Sequence, residues 1–99
     1  MDDTTIRETI QTHADSVVRG DMDAIVADFS EKLRPHLQEL GRALPQPVMS
    51  AEVLSVEVGD PETVAMIRYS GDSGDVTIRS HWRDLGGEHA VIVHAEPAG

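Results

Sequence analysis

Up to about Leu44 the apolar residues of this chain recur every third or fourth position, and from Val48 onward they recur every second position. A helix returns to the same face every 3.6 residues and a strand every two. This change of period divides the chain into a helical first half and a sheet-forming second half. "TTIRETIQTHADSVVRGD" sets Ile6, Ile10, His13 or Ala14, and Val17 on one stripe, with Thr5 and Glu8 at capping-box spacing and Gly20 as the stop. Asp21 can cap a short second helix, whose residues Met22, Ile25, Val26 and Phe29 share a side. Pro35 suits a first turn and not a helix interior, so a third helix is expected from about Pro35 to Leu44, buried through Leu37, Leu40 and Leu44.

In the second half the turn signals "GDPE", "GDSG" and "LGGE" separate four strands near 48–58, 62–70, 75–84 and 89–96. Each connection is too short for a crossover, which predicts an antiparallel meander. Two-residue turns at Asp60-Pro61, Asp72-Ser73 and Gly86-Gly87 would pair Val56 with Ala65, Leu54 with Ile67, Ile67 with Ile78, Tyr69 with Val76, Trp82 with Val91, and Arg79 with His94. That register gathers Leu54, Val56, Ala65, Ile67, Tyr69, Val76, Ile78, Ser80, Trp82, Val91 and Val93 on one nearly apolar face. Val53, Val64, Met66, Arg68, Arg79, His81, Arg83, Ile92 and His94 then fall on a mixed opposite face. The expected architecture is α+β, with the three N-terminal helices packed on the apolar face of a curved four-stranded antiparallel sheet.

Ninety-nine residues of which 39% are hydrophobic suit a single domain, 1–99. With no cysteine, disulfides, thiolate metal sites and cysteine nucleophiles are excluded. Eighteen acidic against eight basic residues give a formal charge of −10, which repels phosphate backbones and anionic membranes, so no nucleic-acid or membrane partner is expected. The apolar runs are far shorter than the roughly 20 residues that span a bilayer, and "MDDTTIRETI" has neither a basic nor an apolar leader region. A cytoplasmic protein is the expectation. Seven of the eight cations are arginine, a hint of a GC-rich bacterial genome.

"VVRGDMDAIVADFS" and "VTIRSHWRDLGGEHAVIVHAEP", the opening of the second helix and the closing hairpin, resemble the nuclear transport factor 2-like superfamily. Its cone-shaped α+β domains include SnoaL-like polyketide cyclases and ketosteroid isomerases. The resemblance implies an apolar pocket between helices and sheet, and a homodimer through the outward sheet face. The isomerases' acidic base after the second helix and their first-helix tyrosine have no counterpart, since the chain reads "KLRPH" and Gln11-Thr12-His13 there.

His13, on or beside the stripe of the first helix, and Asp28, near the end of the second, are the candidate acid–base residues. Tyr69, Ser80 and Trp82 on the apolar sheet face are the candidate ligand-binding groups, though Tyr69 and Trp82 also read simply as core. On the outward face, Val53, Val64, Met66 and Ile92 form an apolar patch amid Arg68, Arg79, His81 and His94, the candidate dimer interface. Arg79 and Arg83 can pair there with Glu57 or Glu96. His81 and His94 fall close enough to share a metal, but no carboxylate stands at a spacing that completes a ligand set and no HExxH is present. Neither a metal nor a cofactor is expected. The leading expectation is a dimer binding a small apolar molecule without catalysis. The alternatives are a SnoaL-like isomerase, cyclase or dehydratase using His13 or Asp28 as base with Tyr69 or Ser80 as hydrogen-bond donor, and a pure dimerisation module.

Overall fold

The computed structural model describes residues 2–98. Helix α1 runs over Asp3–Arg19 and is capped by Asp2, whose carboxylate accepts from the Thr5 amide at 2.8 Å. The expected box at Thr5 is therefore displaced by three residues, because Asp2 already satisfies the free amide of the first turn. Gly20 ends the helix at φ 69°, its amide bonded back to Ser16 and Val17 carbonyls, a conformation that favours glycine. Asp21 then caps α2, Met22–Ala27, as expected, accepting from the Ala24 amide. The third helix is shorter than predicted. A 3₁₀ turn at Arg34–His36, with Pro35 in it, leads into α3 over Leu37–Arg42.

Strands β1 (Ser50–Glu57), β2 (Thr63–Gly71), β3 (Gly74–Arg83) and β4 (Val91–Pro97) form one antiparallel meander in chain order. The β2–β3 register matches the expected one, with Ile67 opposite Ile78 and Tyr69 opposite Val76. The other two ladders each contain a bulge. In β1, Val56 faces Ala65 as predicted, but an irregularity between Val53 and Ser55 puts Val53, not Leu54, opposite Ile67. Val53 consequently packs against the core, and Leu54 is 46% exposed. Between β3 and β4 the chain crosses residues 84–90 in a loop rather than a two-residue turn. There Asp84 accepts from the Gly86 amide at 2.9 Å. The irregularity between His81 and Trp82 brings Ile92, not Val91, opposite Trp82, and sets Arg79 against Glu96 and His81 against His94.

These two slips correct the expected outward patch. Val53 packs inward and Ile92 is 1% exposed in the core, so of the four apolar residues assigned to a dimer face only Val64 and Met66 stay on the outer side, half-buried. Ile6, Ile10 and Ala14 of α1 supply the helical side of the core, and Ala65, Ile67, Tyr69, Trp82 and Ile92 the sheet side. Their spacing is the i, i+4, i+8 stripe on the helix and the alternate positions of β2.

One contact ties the layers together. Phe29 forms a parallel bridge with Ile92. The Ser30 amide donates to the Ile92 carbonyl at 2.9 Å, and the Ile92 amide donates to the Asp28 carbonyl at 2.7 Å. The chain leaving α2 is thereby joined to β4 and covers part of its free edge.

At Gly71 an added Cβ would lie 2.3 Å from the Pro47 carbonyl oxygen and 2.9 Å from Pro45 Cβ, whereas at Gly41 in α3 it meets nothing. Gly71→Ala should therefore lower the unfolding free energy by about 1–3 kcal/mol through backbone displacement, while Gly41→Ala should leave it unchanged or raise it by up to about 1 kcal/mol. Urea unfolding of the two variants measures both signs.

Candidate functional site

α1 and α2 run into Gly20 and Asp21 as a tight corner, so that His13 of one helix and Asp28 at the end of the other come face to face. His13 Nδ1 donates to Asp28 Oδ2 at 2.9 Å, with 5% and 13% of the two side chains exposed. A carboxylate only accepts, which places a proton on Nδ1, while Nε2 has no hydrogen-bond partner among the described residues. The ring is wedged edge-on between Phe29, at 5.8 Å and 74°, and Trp82, at 5.4 Å and 78°. His89, from the loop before β4, reaches the other Asp28 oxygen at 3.9 Å. The Asp28 backbone is meanwhile held by the bond from Ile92.

His13 lines a cavity of about 450 Å³ between α1, α3 and the sheet. Its walls are mostly apolar, including Val17, Ile25, Leu37, Leu40, Ile78 and Ile92. Its rim reaches the surface at Val18, Arg19 and Met22, which are exposed. Three polar side chains from the middle of the fold reach its wall: His13, Tyr69 and Ser80. Sequence reasoning named all three. Asp28 stands behind His13 rather than on the wall, and Trp82 is not on the wall either. Trp82 is fully buried and its indole donates to Ser80 Oγ at 2.9 Å, while Ser80 Oγ donates to the Ala65 carbonyl at 3.3 Å. The Ser80 hydroxyl is thus committed to the sheet. Tyr69 differs: no hydrogen-bond partner for its hydroxyl is found among the described residues. Burial first, and then the Asp28 charge, push its phenol well above the ordinary value.

The outward face carries a second cluster. Arg79 pairs with Glu96 at 3.6 Å, one of the expected partners, whereas Arg83 pairs with Glu62 at 3.7 Å in place of Glu57 or Glu96. His81 Nδ1 donates to Glu62 at 2.5 Å, and His81 Nε2 and His94 Nε2 approach the two Glu96 oxygens at 3.4 and 3.1 Å. Hydrogen bonds from His94 and then His81 hold the Glu96 carboxyl below the usual carboxylate range. Neither Glu62 nor the placing of Glu96 beside both histidines was readable beforehand, because the bulge after His81 sets which β4 residues lie alongside it. His89 was likewise missed, its loop having been expected as a tight turn.

Fold and site together define an α+β structure with a mostly apolar cavity walled in part by His13, which Asp28 holds from behind. Compared with known proteins, the chain matches no family model, no curated protein and no solved structure.

Tyr69 is the chain's single tyrosine, so phenolate absorbance reports it alone. With the folded-state value raised, stability is complete below the unfolded value of about 10 and declines as pH rises past it. An alkaline titration should show phenolate only together with loss of the fold, whereas reversible ionisation near pH 10 in folded protein would place the hydroxyl in water.

Proposed function

We propose that the chain binds a small apolar carbonyl compound in this cavity and moves a proton on it, with His13 as the acid–base group. The observation that carries the reading is the buried His13–Asp28 pair, 2.9 Å apart, at the wall of an apolar cavity of about 450 Å³. Ligand pockets of this kind commonly measure about 300–1,000 Å³ and combine apolar walls with a few polar groups that orient the ligand.

In this reading Asp28 fixes the tautomer and orientation of the imidazole and stabilises the cation that forms when Nε2 takes a proton. Nε2 removes the proton from the carbon next to the carbonyl, and the electron pair moves onto the carbonyl oxygen. The Tyr69 hydroxyl, kept protonated by its surroundings, donates to that oxygen. Return of the proton from Nε2 to the γ-carbon of a β,γ-unsaturated ketone completes an isomerisation; with a β-hydroxy ketone the enolate instead re-forms the carbonyl, the β-carbon–oxygen bond breaks, and the hydroxyl takes the proton from Nε2 and leaves as water. Ser80 supports Trp82 rather than the ligand. The order of helices and strands is compatible with the nuclear transport factor 2-like resemblance, within which such proton transfers occur.

The test is deuterium uptake at the α-carbon of apolar cyclic ketones in D₂O, followed by NMR. The native chain should accelerate uptake, and His13→Gln should lose about 10²–10⁴-fold of that acceleration while a thermal shift still registers the ketone. Asp28→Asn should lose most of the same effect. Native-level uptake in His13→Gln would end the acid–base assignment. Thermal stabilisation by the ketone with no uptake in any variant would leave a binding protein only.

A further inference from the structure

We propose that His81, His94 and Glu96, on the sheet face opposite the cavity, form a binding site for a divalent transition metal of the zinc class, with Glu62 orienting His81. His81 and His94 are direct cross-strand partners on β3 and β4, and Glu96 stands two residues beyond His94, so strand alternation sends all three to the same side. Their ligand atoms lie within 4.8 Å of one another, and the two rings are 5.3 Å apart between centroids.

Tetrahedral ligands about 2.0–2.1 Å from zinc stand about 3.4 Å from each other. His81 Nε2 and His94 Nε2 already lie 3.4 and 3.1 Å from the Glu96 oxygens. The two imidazoles approach different Glu96 oxygens, so sharing one ion asks His94, whose side chain is 57% exposed, to turn toward the oxygen that faces His81. Glu62 accepts from the remaining His81 nitrogen at 2.5 Å, which is how a carboxylate fixes the tautomer of a metal-bound histidine and raises its basicity. Arg83 steadies the other Glu62 oxygen at 3.7 Å. Arg79, 3.6 Å from Glu96, is the cation the metal has to outcompete, and the chain's formal charge of −10 favours the more highly charged ion. Two imidazoles and one carboxylate suit zinc and its neighbours and not magnesium, which prefers oxygen ligands. The fourth position is left to solvent.

Isothermal titration of the chain with Zn²⁺ tests this, with Mg²⁺ as the control and Co²⁺ absorption as the reporter of tetrahedral nitrogen and oxygen ligands. The expected result is one Zn²⁺ per chain, no Mg²⁺ binding at the same concentration, and a tetrahedral Co²⁺ spectrum. His94→Ala and Glu96→Gln, both at the surface, should each weaken Zn²⁺ by roughly 100-fold or more, and Glu62→Gln by roughly 10- to 100-fold. Circular dichroism confirms that the variants fold. Equal binding of the two metals, Zn²⁺ affinity unchanged in His94→Ala, or affinity lost in His89→Ala instead would each overturn the assignment. So would one Zn²⁺ shared between two chains.

Discussion

The short parallel bridge between Phe29 and Ile92 is the constraint on which the rest of the site depends. Two backbone hydrogen bonds, at 2.7 and 2.9 Å, hold the end of α2 against β4. They bury Phe29 and Ile92 together and hold Asp28 where it reaches His13. Without them α2 would be a two-turn helix of six residues with no buried side chain of its own, too short to stay in place by propensity. A carboxylate on such a segment would find water more easily than a buried imidazole. The bridge offsets the cost of ordering both groups, since the backbone is fixed before the side chains pair.

The cavity has a related logic. As a sealed void of about 450 Å³, it would cost on the order of 10 kcal/mol at about 24 cal/mol per Å³, comparable to the whole stability of a domain this size. A sequence could not keep such a gap as a packing fault. Its rim at Val18, Arg19 and Met22 is open to solvent, so the space is a cleft that water or a ligand can fill and not a sealed void. Buried polar groups at and behind that wall are divided between two tasks. Trp82 and Ser80 satisfy each other and the sheet, while the Tyr69 hydroxyl and His13 Nε2 have no partner among the described residues.

Much of the fold was legible because two periods met at a clear boundary and because "GDSG" is a turn whose flanking strands admit one register. The failures share a cause. "VLSV" in β1 and "AVIV" in β4 contain adjacent apolar residues, so alternation cannot tell Val53 from Leu54 or Val91 from Ile92. A bulge moves the face by one residue at little local cost, and tertiary packing decides where it falls. His13 and Asp28 stood out on the helix stripe and the helix end. Their pairing did not, because it rests on the contact between Phe29 and Ile92, more than sixty positions apart in the sequence. Of the outward arginines, Arg79 meets Glu96, one of its expected partners, while Arg83 meets Glu62 instead, and the company of Glu96 beside both histidines depended on the β3–β4 bulge.

The fold holds His13 in one orientation at the wall of the cavity, with Nδ1 to Asp28. Long-range ¹H–¹⁵N correlation of the histidine side chains measures it directly. The expected result is a His13 ring that, wherever it is neutral, is the single Nδ1–H tautomer, which Asp28→Asn disturbs while leaving the His81 and His94 signals in place. A His13 ring averaging between tautomers in the native chain, or one indifferent to Asp28→Asn, would contradict it.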